Sequence, residues 1–322
     1  MGSILALNEQ DIEQLITPEE VLAAVEEAFK RYGRGEARMP AKIYLDLPEH
    51  GGDFRAMPAY ISGYAGIKWV NVHPGNLAKG IRTVMATIVL NNSQTGEPIA
   101  CMDGTIITNY RTGAAAAVAS KYLARGDSKI LGLVGLGEQA KTQLLCISQV
   151  FELDQVKIYD VNPEVIEGFV SEFPGYRFTR CSLEEAVAAD IVSTTTPVRE
   201  PIIKKEWIKP GTHINAMGAD AAGKEELDPG LLVQDGVKVI VDDLEQAFHS
   251  GEVNVPVRDG VLKRDSIYGI LSDVVIGKLR GRETGDITIF DSTGLAIQDI
   301  STARVLYEKA LERKIGSDLN WG

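Results

Sequence analysis

Six residues, Gly135-Leu136-Gly137-Glu138-Gln139-Ala140, stand between an apolar run and a helical one, and their types suit one task, the approach of bare backbone to a pyrophosphate. Gly135 turns the chain tightly, Gly137 lets phosphate reach the backbone, and Ala140 lets a helix pack close on a strand. Glu138 and Gln139 open that helix, whose unpaired N–H groups face an anion. About twenty residues further on, Tyr159-Asp160 ends the next strand, and the Asp160 carboxylate is placed to accept both ribose hydroxyls. A 2′-phosphate would meet that charge, so the cofactor expected is NAD. Thr195, within Thr194-Thr195-Thr196-Pro197 at the carboxyl end of a later strand, is a further candidate for cofactor contact. Threonine is also a good strand former, which is the plainer explanation of that run.

A second set of residues is basic. Lys42 precedes Ile43-Tyr44, Arg55 precedes Ala56-Met57-Pro58, and Lys68 stands between Ile67 and Trp69. Charges alternating with apolar residues ordinarily mark a solvated strand face, and that is the default for each of them. Lys68 fits it least. Trp69-Val70-Asn71-Val72-His73-Pro74 follows, and a lysine partly desolvated among such residues becomes a proton donor near neutral pH.

These side chains need elements to hold them. Thr17-Pro18-Glu19-Glu20 opens a helix whose apolar residues Val21, Leu22, Val25 and Phe29 recur until Gly33 and Gly35. Residues 41–103 read as short alternating strands between Gly, Asn and Pro turns, a mainly antiparallel sheet. An alanine-rich helix, 112–124, bridges to a second domain. From Lys129 strand and helix alternate: strands at 130–134, 156–159, 191–194, 213–216, 237–241 and 287–290, helices at 139–151 and 163–173, and a capping box at Ser182. That pattern predicts an α/β fold, a Rossmann doubly wound parallel sheet over 116–299 beside an α+β substrate-binding and dimerisation domain of 1–115 and 300–322. A last helix, 295–311, is expected to cross back to the first domain.

The chain has 322 residues, 44% of them hydrophobic, and a formal charge of -12. That balance removes the electrostatic warrant for nucleic-acid or membrane-surface binding, while small anions remain open to a local basic pocket. Cys101, Cys146 and Cys181 show no paired spacing and read as reduced and buried, which places the protein in the cytoplasm. No signal peptide or membrane span is apparent. The four histidines stand apart, so no metal is expected.

Together these residues resemble the ornithine cyclodeaminase/mu-crystallin family over nearly the whole chain, and within it most closely the archaeal-type alanine dehydrogenase branch. The resemblance rests on Lys68-Trp69-Val70-Asn71 with His73-Pro74, on Arg111-Thr112-Gly113-Ala114-Ala115 and on the glycine turn. It rests also on His213 to Asp220 followed by Gly223-Lys224 and Glu226-Leu227, and on Phe290-Asp291-Ser292-Thr293-Gly294. It implies a homodimer assembled through the first domain. It also implies a small carboxylate substrate held by Lys68 and Arg111 with help from Lys42, an active-site acid at Asp220, and Thr112 and Ser292 near the cofactor. His73 carries no such expectation and reads as a loop residue. Ornithine-cyclising members place a glutamate two positions before the Met-Pro pair, where this chain has Arg55. An arginine repels a second ammonium and clamps a carboxylate, favouring a short 2-oxo acid such as pyruvate with ammonium. The alternatives are ornithine cyclodeamination, cyclic ketimine reduction and a non-catalytic cofactor-dependent binder.

Overall fold

A computed structural model of the chain describes residues 3–320. Two compact units emerge, one of residues up to Arg111 together with those from Leu295 onward, the other Thr112–Gly294. The split falls at 111/112 and 294/295, where the sequence placed it at 115/116 and 299/300.

The first unit is built on one sheet. Its strands are β1 (Ile4–Leu7), β2 (Ile43–Leu47), β3 (Gly52–Ile61), β4 (Tyr64–Val72), β5 (Val84–Asn92) and β6 (Pro98–Asp103). A short strand at Ser317–Leu319 completes the order Ser317–Leu319, β1, β6, β5, β4, β3, β2. From β2 to β6 neighbours run antiparallel, as the alternating texture predicts, and β1 lies parallel to β6. Helix α1 (Glu9–Leu15) is absent from the sequence reading because its capping box uses Asn8 with Asp11 rather than the Ser/Thr-x-x-Glu pattern. Helix α2 (Pro18–Gly33) starts behind the Thr17 cap as predicted. The C-terminal helix, Ala296–Arg313, lies along β3, β4 and β5 and against α2. Gly66 on β4 gives it room, since a Cβ there would stand 2.8 Å from Ile300 Cδ1.

The second unit carries β7 (Ile130–Val134), β8 (Gln155–Tyr159), β9 (Phe178–Arg180), β10 (Ile191–Thr194), β11 (His213–Ala216), β12 (Val237–Val241), β13 (Gly269–Ile270) and β14 (Ile287–Asp291). They pair in the order β13, β12, β14, β11, β10, β7, β8, β9, every pair parallel. The strand order therefore reverses between β7 and β10, the switch point where doubly wound sheets bind ligands. Val134, Val192, Ile214, Val239 and Ile289 pack in one buried core. Such near-continuous apolar strands are what a parallel sheet covered on both faces requires.

Helix α3 (Thr105–Leu123) begins earlier than the alanine-rich texture suggests. Asp103 accepts the N–H groups of Thr105 (2.9 Å) and Ile106 (3.4 Å), a cap lying outside the alanine run. Residues 114–119 are all fully buried, which explains why this helix has no polar face. Cys146 is buried and burial pushes its thiol up to about 12, whereas Cys101 and Cys181 are half-buried rather than buried as read from their apolar neighbours. Among the described residues no helix is long and apolar enough to cross a membrane.

Within α3, a Cβ at Gly113 would stand 2.3 Å from the carbonyl oxygen of Thr142 in α4 (Glu138–Ile147). Gly→Ala in a helix interior ordinarily stabilises by about 1 kcal/mol. Here the sign reverses. Gly113→Ala is expected to destabilise by about 1–3 kcal/mol through backbone displacement, read as a lower urea midpoint; an unchanged or higher midpoint refutes the close approach.

Candidate active site

Pleating sorts the side chains of β2 to β5 onto two faces. On one face Tyr44, Arg55, Val70 and Ala86 form a row, with Met57, Lys68 and Ile88 in the next. Lys42 precedes the same edge, and Arg111 reaches in from α3. All four cations are buried: Lys68 is 0% exposed, Arg55 5%, Arg111 7% and Lys42 9%. The solvated-face default for Lys42, Arg55 and Lys68 is thereby overturned; over β3, β4 and β5 lies the C-terminal helix, which supplies a counter-charge to Lys68 and Arg111.

That counter-charge is Asp299. Lys68 Nζ donates to Asp299 Oδ1 (2.8 Å), Arg111 Nε donates to the same oxygen (3.0 Å), and Arg111 Nη1 donates to Gln298 Oε1 (3.1 Å). Burial, then the charge of Arg111, pushes Lys68 down from 10.5 to about 7, with Lys42 adding to the fall and Asp299 opposing it. Near neutral pH Lys68 is thus equipped both to give and to take a proton. Arg55, expected to clamp an external carboxylate, forks onto Asp53 of its own strand through Nε (2.7 Å) and Nη2 (3.2 Å). Its guanidinium carbon lies 5.4 Å from the centre of the Tyr44 ring. His73 sits 3.0 Å from Asn71 Nδ2 through Nδ1 and covers Gly52, where a Cβ would stand 2.5 Å from the ring.

In the second unit the glycine turn follows β7 directly. Gly135 has φ +82°, a conformation that favours glycine, and its carbonyl accepts the Thr195 hydroxyl at 2.9 Å. Gly137 starts α4 without a side-chain cap, and a Cβ there would meet no atom of the described residues within 4 Å. The protein leaves space beside Gly137 at the N-terminus of α4, where Glu138 and Gln139 open the helix, an arrangement that fits a pyrophosphate. Ala140 is fully buried under the sheet. Asp160 accepts Leu136 N–H on Oδ2 and Asn162 N–H on Oδ1, each at 2.8 Å, so it braces the turn and still offers lone pairs.

The remaining candidates lie elsewhere in the second unit. Asp220 is half-buried and accepts Lys224 Nζ at 2.6 Å. Ser292 is buried beside Asp242, its hydroxyl 3.4 Å from Oδ2, and Asp242 Oδ2 also takes the N–H groups of Thr293 and Gly294 at 2.7 Å each. Thr112 is half-buried on α3. Sequence reasoning missed Asp299 and Gln298, whose only signal is polarity at buried helical positions. It also gave no role to Glu226, which is fully buried and receives the hydroxyls of Thr194 and Thr196 and the N–H groups of Thr196 (2.8 Å) and Gly218 (2.9 Å). Glu226 thereby ties the carboxyl ends of β10 and β11. His213, in a motif run, is structural: burial drives it down to about 3, between Thr288 Oγ1 and Asn215 Oδ1. Among the described residues no group of three or more His, Cys, Asp or Glu could hold a metal.

The sequence profile of the ornithine cyclodeaminase/mu-crystallin family matches residues 4–314. Alanine dehydrogenase of Archaeoglobus fulgidus is 49% identical over 320 residues, covering 98% of each chain. Among solved structures, an archaeal alanine dehydrogenase dimer with bound NAD superposes with TM-score 0.96 at 48% identity, over all of both chains. The Thermococcus litoralis Delta(1)-pyrroline-2-carboxylate reductase, in complex with NADH and L-proline, superposes with TM-score 0.94 at 39% identity, over 98% of this chain and 100% of its own.

The proton affinity of Lys68 has a thermodynamic signature. Its folded value near 7 lies below its unfolded value of 10.5, so between them the unfolded chain binds the additional proton and folding gains stability as pH rises. Measured against Lys68→Met, which has no such proton, wild-type stability is expected to climb between pH 7 and 9 by up to about 1.4 kcal/mol per pH unit. A difference in urea-unfolding free energy that stays constant over that range contradicts the low affinity.

Proposed function

The chain belongs to the ornithine cyclodeaminase/mu-crystallin family, and from that premise we propose that it is an NAD-dependent amino-acid dehydrogenase working on alanine and pyruvate. Pyruvate, ammonium, NADH and a proton give alanine, NAD and water, reversibly. The observation that carries this reading is that two buried cations, Lys68 and Arg111, share one carboxylate oxygen. A substrate carboxylate joining them, beside Lys42 and Arg55, supplies a third anion, after Asp299 and Asp53, to a face with four cations.

Lys68 then donates to the substrate carbonyl oxygen as ammonia adds, regains the proton that the added nitrogen sheds, and donates it as water leaves. Asp220, released from Lys224, takes and returns protons at nitrogen. The turn Gly135 to Ala140 holds the pyrophosphate of NAD through the N–H groups of Glu138 and Gln139, and Asp160 accepts from the ribose. Thr195 keeps the turn in shape, with Thr112 and Ser292 at the cofactor's edge. When bound, the nicotinamide supplies and accepts the hydride. Arg55 stands on the buried face of the sheet in a fork with Asp53, and once turned from it to a substrate carboxylate its cation would disfavour the second ammonium of ornithine.

Three arms of one assay test this. Purified protein with NADH, pyruvate and ammonium is expected to consume NADH only when ammonium is present, and Lys68→Ala to lose more than about 100-fold in kcat/KM with NAD affinity kept. Proline formed from ornithine with NAD, without net NADH change, would replace the reading by cyclodeamination. NADH consumption with pyrroline-2-carboxylate but not with pyruvate would replace it by ketimine reduction. The half-buried Cys101 and Cys181, outside any disulfide, support a cytoplasmic setting.

The face of the sheet opposite Lys68 supports a homodimer. Ile43 (66% exposed) and Trp69 (41%) lie in one cross-strand row, Leu45 (50%) and Met85 (40%) in the next. Contiguous apolar surface of this kind marks an interaction site. Sedimentation is expected to give a dimer for the wild type and a monomer for Leu45→Glu; a wild-type monomer defeats the assembly.

A further inference from the structure

Asp299 lies on the first turn of the C-terminal helix, and its fully buried carboxylate is the meeting point of two basic side chains that sequence separates widely. One oxygen, Oδ1, receives Lys68 Nζ at 2.8 Å and Arg111 Nε at 3.0 Å. Among the described residues its other oxygen is buried with no hydrogen-bond partner, and so is Nε2 of the neighbouring Gln298. An aspartate serving only to anchor a helix would satisfy both oxygens, since an unmet buried acceptor costs about 1–3 kcal/mol. Both cations are instead drawn to one point, which fixes the distance between them and the directions left for their remaining N–H groups. A planar substrate carboxylate needs that fixed spacing.

We propose that Asp299 is the positioning residue of the site: it holds Lys68 and Arg111 in register for one carboxylate substrate and governs how firmly Lys68 keeps its proton. The proposal rests on the dehydrogenase reading for what Lys68 does, and on the geometry alone for what Asp299 does to it. The charged groups facing Lys68 are Arg111 from α3, Lys42 before β2, Arg55 with Asp53 from β3 and Asp299 from the C-terminal helix. Farther along its own strand Tyr64 donates to Glu308. Arg111 and Lys42 lower the proton affinity of Lys68, and Asp299 raises it through charge and hydrogen bond. Removing the Asp299 charge therefore moves the Lys68 midpoint down from about 7.

The test uses full-length protein labelled with 13C at lysine Cε, the Lys68 signal being assigned by its absence from Lys68→Arg. In Asp299→Asn the titration midpoint is expected to fall by at least about one pH unit, and in Asp299→Glu to stay near that of the wild type. Alanine oxidation needs Lys68 as a base, so the rise of kcat/KM with pH shifts to lower pH in Asp299→Asn by the same interval, with KM for NAD unchanged. A wild-type midpoint in Asp299→Asn, with activity reduced equally at every pH, overturns the proposal and leaves Asp299 a helix anchor. Should Asp299→Asn fail to fold, Asp299→Glu decides: displacing the carboxylate by one methylene is expected to lower kcat at least about tenfold with KM for NAD kept, and an unchanged kcat overturns the proposal. The titration needs no substrate, so a protein that turns over no 2-oxo acid would sink the functional reading while still reporting on Asp299.

Discussion

A lysine ammonium withdrawn wholly from water loses several kcal/mol of hydration, and attraction to a partner returns that only when the geometry is good. Lys68 is in that position, and Arg111 beside it makes matters worse. The first unit resolves the conflict by bringing a carboxylate from the far end of the chain and laying a helix over the sheet to shield all three. The glycine at 66, which lets that helix approach, and the pairing of β3 with β4, which puts Lys68 on the covered face, both follow from the need to keep this cluster dry and complete.

The two-residue period of the strands then divides labour within single dipeptides. Lys68 points to the covered face and Trp69 to the other; Arg55 and Phe54 divide likewise, and Phe54 and Trp69 stack at 5.2 Å on the outer side. One sheet thus presents a charged interior and an apolar exterior. Neither face can be altered by a shift in register without exchanging the two.

Much of this was legible in the residues. The second unit's strands were readable because a parallel sheet covered on both faces demands apolar runs, and the helices between them announce themselves by caps such as Ser182 with Glu185. The glycine turn was equally clear, since its work is done by local backbone. The charged face was misread by default because alternation states that two faces differ without saying which is covered. Lys68 alone signalled burial, through the residues that follow it. Asp299 was invisible for a deeper reason: its role comes from residues 231 and 188 positions away, and a polar residue on a helix looks like a solvated one until the sheet beneath it is known. Glu226 illustrates the same limit, for its quoted motif gave no hint that four donors converge on it.

Gln298 Oε1 takes two donors, Arg111 Nη1 and the N–H of Leu295. Arg111 is the last residue before the chain leaves the first unit, and Leu295 is the first after it returns. Exit and re-entry are therefore laced together through one amide, so the chain leaves the first unit and returns to it at one place. Because the strands of the first unit's sheet all lie outside Thr112–Gly294, that sheet owes its closure to the two flanking segments alone, while α3 runs unbroken from one unit into the other.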